Sequence, residues 1–192
     1  MQEIEIELKN ELNEKEYTYL KNTLFKEAKM KEQTNHYFET NDFQLKNTGS
    51  ALRIRFKNGS YVSTLKEPQT EGLLETHDQL DDQDATSWMN NQVSLGPNIR
   101  RQIEKLNISE KSIQYFGQLT TYRQEVQKGD CLLVLDHSVY HQKEDYELEI
   151  EAPSMHKAQN KLEEILTSYQ IERRPIESKI KRFFSAKQSD SQ

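Results

Sequence analysis

Residues 3–9 read Glu3-Ile4-Glu5-Ile6-Glu7-Leu8-Lys9, and residues 145–151 read Asp145-Tyr146-Glu147-Leu148-Glu149-Ile150-Glu151. Apolar and charged side chains alternate in both without interruption. A period of two is that of a β-strand, whose successive side chains point to opposite faces. Ile4, Ile6 and Leu8 therefore share one face of the first strand, and Glu3, Glu5, Glu7 and Lys9 the other. In the last strand Tyr146, Leu148 and Ile150 oppose Glu147, Glu149 and Glu151.

The same pattern runs through the middle of the chain. Arg53 and Arg55 alternate with Leu52, Ile54 and Phe56 in a strand over 51–56. Asn58-Gly59 is a two-residue hairpin signal, and residues 61–66 return from it, ending on Leu65 and Lys66. Further strands are expected over 36–40, 72–77, 119–126 and 131–137, the last two joined by Gly129-Asp130. Leu12, Leu20, Leu24 and Ala28 share helical spacing over 12–30, with Asn13 and Glu16 placed as a capping box. Residues 84–107 predict two helices split at Gly96-Pro97. Ser154 is expected to cap a helix carrying Met155, Leu162, Ile165 and Leu166, and Ser178 a last one through Ile180, Phe183 and Phe184. The polar tail, 187–192, is expected to be disordered. About eight strands joined by hairpin turns predict an α+β protein on an antiparallel sheet, and that number can close into a barrel.

Composition narrows the function. The chain has 192 residues, which suits one domain. Its formal net charge is −6, without the basic surplus of a nucleic-acid binder. No run approaches the roughly 20 apolar residues that span a bilayer. The N-terminus opens directly on a charged strand, so no signal peptide is expected. Cys131 is the single cysteine, which excludes an internal disulfide and a multi-cysteine zinc site. A cytoplasmic location fits these features. The five histidines show no metal-ligand spacing.

The charged faces decide the chemistry. A half-exposed sheet also alternates, with its charges simply in water. Here, however, acids gather on the first and last long strands and Arg and Lys on the middle ones. If the apolar strand faces are covered by the helices, the charged faces line an interior. Several carboxylates sharing a cavity repel one another, and a divalent cation relieves them. Carboxylate oxygens suit Mg²⁺ or Mn²⁺. Arg and Lys then need an anion, and guanidinium forks match phosphate oxygens. Carboxylates, metal and cations together describe a site for a polyphosphate.

The ExExK run Glu5–Lys9 resembles the CYTH superfamily, the triphosphate tunnel metalloenzymes. The similarity continues through NHYFETND at 35–42, ALRIRF at 51–56, STLKE at 63–67, the strand with Arg123, LVLDHS at 133–138, YELEIE at 146–151 and SKIKRF at 178–183. It covers residues 1 to about 185, which implies one domain over 1–186, and the short bacterial, Firmicutes-type branch is the most similar. That superfamily includes thiamine and inorganic triphosphatases, class IV adenylate cyclases and fungal-type RNA triphosphatases. The resemblance implies a closed eight-stranded tunnel. It implies that Glu5 and Glu7, with one or two of Glu147, Glu149 and Glu151, hold the metal. Lys9, Arg53, Arg55, Lys66, Arg123 and Lys179 would hold the triphosphate. Asp136 would bind metal through water or orient a nucleophile. Lys9, Arg55 and Asp136 are the candidate catalytic residues, and Glu75, Tyr37 and Lys181 are further candidates.

The expected reaction is metal-dependent hydrolysis of the terminal phosphoanhydride of tripolyphosphate, thiamine triphosphate or a nucleoside triphosphate. An adenylate cyclase and a non-catalytic polyphosphate or nucleotide binder are the alternatives on the same residues. No membrane or nucleic-acid partner is expected, and the choice between monomer and homodimer stays open.

Overall fold

The computed structural model describes residues 1–57 and 59–189, without the side chains of Lys57, Gln188 and Ser189. The elements in chain order are β1 (Gln2–Glu5), β2 (Glu7–Leu12), α1 (Glu14–Asn22), β3 (Lys31–Thr40), α2 (Gln44–Asn47), β4 (Ala51–Lys57), β5 (Ser60–Pro68), β6 (Leu73–Leu80), α3 (Asp82–Met89) and α4 (Pro97–Lys105). A 3₁₀ turn at Glu110–Ser112 leads into β7 (Ile113–Lys128), β8 (Cys131–Tyr140), β9 (Lys143–Glu151), α5 (Met155–Tyr169) and α6 (Lys179–Ser189). These residues form two compact units. One holds Met1–Ile4 and Gln33–Leu119, the other Glu5–Glu32 and the chain from Thr120.

In the first unit the strands run β1-β6-β5-β4-β3, followed by the opening half of β7. β4, β5 and β6 are antiparallel, with Arg55 opposite Val62 and Lys66 opposite Glu75. Phe38, Leu52, Ile54 and Leu65 turn their apolar faces to Ala85 and Trp88 of α3 and Ile99 and Ile103 of α4. Gly96 caps α4 with Pro97 in its first turn, as the Gly-Pro split predicts. Buried Asp78 accepts the backbone N–H of Ile99 at 2.8 Å and the Asn98 amide at 2.6 Å, satisfying donors at that helix start.

In the second unit the strands run from the closing half of β7 through β8 and β9 to β2. Leu133, Leu135, Leu148 and Ile150 form the apolar face, and α1 and α5 cover it with Tyr17, Leu20, Leu162 and Ile165. Asn13 and Glu16 form the expected capping box, and Ser154 caps α5. The segment before α6 is tied to β2. The Glu11 N–H donates to the Arg174 carbonyl at 2.8 Å, and the Asn10 side chain accepts the Arg174 N–H at 2.8 Å.

Several boundaries differ from the sequence expectation. The N-terminal run is two strands, so the described residues hold nine strands rather than eight. The partner changes at Ile6: β1 lies next to β6, and β2 pairs with β9. The helix expected over 12–30 spans Glu14–Asn22. Leu12 belongs to β2, and the chain turns at Thr23 and Phe25, whose N–H groups both reach the Leu20 carbonyl. β7 begins at Ile113, six residues early, because Gly117 and mixed polar residues hide its alternation. α6 continues through Ser189, past the expected start of the tail. Asn58 and residues 190–192, on which the hairpin and tail expectations partly fall, lie outside the described residues.

Candidate active site

The second unit's site starts from the register of β2, β9, β8 and β7. Glu7 lies opposite Glu151 and Lys9 opposite Glu149. Asp136 lies opposite Glu147 on one side and Arg123 on the other. The strand period therefore brings seven expected site residues onto one face. That face is not solvated: Asp136 and Glu147 are 0% exposed and Glu149 2%. Burial of Leu148 and Ile150 on the opposite face makes β9 buried on both sides, which removes the half-exposed-sheet alternative for this strand.

Buried carboxylates require partners. Arg123 forms a bidentate pair with Asp136, at 2.8 and 2.6 Å, and its Nη2 also donates to Glu149 Oε2 at 2.7 Å. Lys179, from the first turn of α6, places its ammonium among three acids. It lies 2.8 Å from Asp136 Oδ2 and 2.7 Å from Glu149 Oε1, and it contacts Glu147 Oε1. Lys9 donates to Glu149 at 2.7 Å and lies 3.0 Å from Glu7. Lys181, the sequence competitor of Lys179, is on the exposed side of α6.

The protonation states follow from this packing. Burial pushes the Glu149 carboxyl up, but Lys179, Lys9 and Arg123 together hold it well below the usual range. Asp136 is likewise lowered, burial being outweighed by Arg123 and Lys179. Burial and nearby Glu149 raise Glu147 to about 7, against the pull of Lys179 and Lys9. Burial opposes the charge of Lys9, Arg123 and Lys179, yet their acidic neighbours raise all three above their ordinary values.

Two acid groups in this unit have oxygens close enough to share a cation. Glu5, Glu7 and Glu151 form one, Asp136, Glu147 and Glu149 the other, with ligand atoms within 4.8 Å of one another in each. The second group is already filled by Lys179 and Arg123. In the first, Lys9 lies 3.0 Å from Glu7, and the three carboxylates offer an oxygen set of the kind that suits a hard divalent ion. The three same-face glutamates of β9 thus divide: Glu151 stands with Glu5 and Glu7, while Glu147 and Glu149 stand with Asp136.

The first unit carries the other expected cations. Arg53 and Arg55 lie on one face of β4, opposite Tyr37 and Asn35 of β3. Arg55 Nε donates to Asn35 Oδ1 at 2.9 Å. Lys66 lies 2.5 Å from Glu75, whose other oxygen is 3.3 Å from His77 Nε2; Arg53 is 3.8 Å from Glu75. Glu75, a further candidate from sequence, therefore anchors Lys66 and Arg53. Tyr37 is 3% exposed.

Sequence reasoning missed Arg182. It forms a bidentate pair with Asp145, both distances 2.9 Å, and reaches Glu147 Oε2 at 2.5 Å. The signal was present: Arg182 is three residues after Lys179 and so lies on the same helix face.

The CYTH domain model matches residues 3–184. The Bacillus subtilis (strain 168) protein named "Putative triphosphatase YjbK" is 46% identical over 187 residues, covering 97% of each chain. A Bacillus halodurans crystal structure, described as a "putative adenylate cyclase", is 39% identical, with a TM-score of 0.90 over 95% of this chain and 98% of that one. The Hippeastrum protein HpAC1, at 24% identity, shares the fold with a TM-score of 0.79 over 95% and 96%. The family match over residues 3–184 and the 46% identical relative spanning nearly the whole length place the chain in the CYTH family.

Proposed function

We propose that the protein is a divalent-metal-dependent triphosphatase that hydrolyses the terminal phosphoanhydride of a triphosphate. The observation that carries this reading is the buried set of Asp136, Glu147 and Glu149 interlocked with Lys9, Arg123 and Lys179, in the same unit as the Glu5, Glu7 and Glu151 trio. The name of the Bacillus subtilis relative supports it.

Glu5, Glu7 and Glu151 would hold Mg²⁺ or Mn²⁺, which when bound neutralises phosphate charge and acidifies water. Lys9, Arg123 and Lys179 remain cationic at neutral pH and supply fixed positive charge to phosphate oxygens. Asp136 fixes the Arg123 fork and the Lys179 ammonium, and is the candidate to orient the attacking water. Arg53, Arg55 and Lys66 are assigned to phosphate oxygens on the strength of the family resemblance. Catalysis on this reading is mostly electrostatic, from groups held in place before substrate arrives. We assign residues 1–186 to one functional CYTH domain.

The test is phosphate release from tripolyphosphate, thiamine triphosphate, ATP and GTP, each with Mg²⁺ and Mn²⁺. Glu7→Gln and Arg55→Ala should each lower kcat by about 10²-fold or more, the scale of losing one preorganised electrostatic group. Near-full turnover in either variant would remove that residue from the site. The Bacillus halodurans relative's description supports a second reading, cyclisation of ATP. Cyclic AMP with pyrophosphate, in place of ADP with phosphate, would establish it. Binding without turnover under every metal would establish a binder.

A further inference from the structure

β9 carries a fourth carboxylate on the face of Glu147, Glu149 and Glu151. It is Asp145, two residues before Glu147 and so on the same side of the strand. The Tyr140 hydroxyl donates to Asp145 Oδ2 at 2.6 Å. Arg182 Nε donates to the same oxygen and Nη2 to Oδ1, at 2.9 Å each. Nη2 also donates to Glu147 Oε2 at 2.5 Å, and Nη1 to the Glu177 carbonyl just before α6. Every nitrogen of the guanidinium is engaged, so its plane is fixed.

The consequence falls on Glu147. One of its oxygens is held by Arg182 and the other faces Lys179 and Lys9. Glu147 is fully buried, away from bulk solvent. A flexible carboxylate is thereby locked in one orientation, and which oxygen meets Lys179 is decided from the other side. A tether of α6 to β9 alone would need only the Asp145 pair. The additional Nη2 bond to Glu147 is what links the tether to the acid cluster.

We propose that Arg182, held by Asp145, is a positioning residue for the site: it orients Glu147 and, through it, Lys179. The inference rests on the triphosphatase reading for its kinetic readout only. Without Arg182, Glu147 can rotate and draw Lys179 away from Asp136 and Glu149, loosening the cation meant for phosphate. Lys at this position can hold one carboxylate but lacks the planar fork that spans two.

The experiment compares wild type with Arg182→Gln, Arg182→Lys, Asp145→Asn and Tyr140→Phe. It measures kcat and KM for tripolyphosphate over a Mn²⁺ titration, and the melting temperature with and without Mn²⁺ plus tripolyphosphate. Arg182→Gln should lower kcat at saturating metal at least 10-fold. Arg182→Lys should recover part of that loss, and Asp145→Asn should fall between wild type and Arg182→Gln. Tyr140→Phe should cost less than 3-fold. Wild-type kcat in Arg182→Gln overturns the proposal. So does an equal loss in Arg182→Lys and Arg182→Gln that follows their melting temperatures. If Arg182→Gln does not fold, Asp145→Asn and Arg182→Lys carry the same test. If wild type releases no phosphate, the triphosphatase reading fails, yet the inference is still read by ligand-induced stabilisation. That shift should be reduced in Arg182→Gln and intact in Tyr140→Phe; equal shifts in all variants overturn it.

Discussion

Glu147 and Glu149 sit two residues apart on one strand, both buried, and behave oppositely. Glu149 faces three cations and is held ionised; burial and the charge of Glu149 lift Glu147 to about 7. The consequences for stability have opposite signs. Asp136 and Glu149, lowered on folding, contribute stability that is present above their unfolded values and lost as pH falls through the folded ones. Glu147, raised from 4.5, contributes stability that is complete below pH 4.5 and lost as pH rises through about 7. Glu147→Gln should therefore compare more favourably with wild type at pH 8 than at pH 5, measured as melting temperature in metal-free buffer. A difference that does not change between those two pH values would show that Glu147 titrates normally.

At the scale of the element, Gly96 approaches Asp78 closely at the start of α4. A Cβ at Gly96 would lie 2.5 Å from Asp78 Cγ. Asp78 cannot move aside without losing its bonds to Asn98 and the Ile99 N–H. Gly96→Ala should cost about 1–3 kcal/mol, as overpacking does, lowering the melting temperature by roughly 2–12 °C. An unchanged melting temperature would mean that α4 shifts freely. The same element shows what sequence conveys and what it does not. Gly96-Pro97 marks the helix boundary locally, so that boundary was legible. Asp78 is 18 residues earlier, and nothing local ties it to Gly96. The strands with strict alternation were legible for the same reason, as were the capping box at Asn13 and the cap at Ser154. The division at Ile6 was not, because a change of hydrogen-bonding partner leaves an alternating pattern intact. In the candidate site, Lys9, Glu147 and Glu149 were readable because strand parity fixes a face, whereas Arg123 and Asp136 were named by the family motifs, since Leu132 and Val134 share the parity of Asp136 and mask its strand's charged face. Arg182 was signalled by its helical spacing from Lys179, but its pairing with Asp145 and Glu147 needed the packing of α6 on β9, which no local pattern contains.

At the scale of the whole molecule, a chain that is only 33% hydrophobic buries a substantial set of charged groups along with its apolar cores. Buried ion pairs at best offset their own desolvation, so such a cluster is poor evidence of stabilisation by itself. The proposed triphosphate reading gives such a cluster a use, and ligand linkage makes that reading measurable. A ligand binding only the folded state adds about 2.7 kcal/mol at 100 times its Kd. For a chain of this length that corresponds to a rise of roughly 5–11 °C in melting temperature. Tripolyphosphate with Mn²⁺ should give a rise of this order, chelation of the metal should remove most of it, and Glu7→Gln should abolish the metal-dependent part while leaving the ligand-free melting temperature close to wild type. A melting temperature indifferent to both ligands would leave the charged faces as structural ion pairs and would remove the basis for a triphosphate site in this chain.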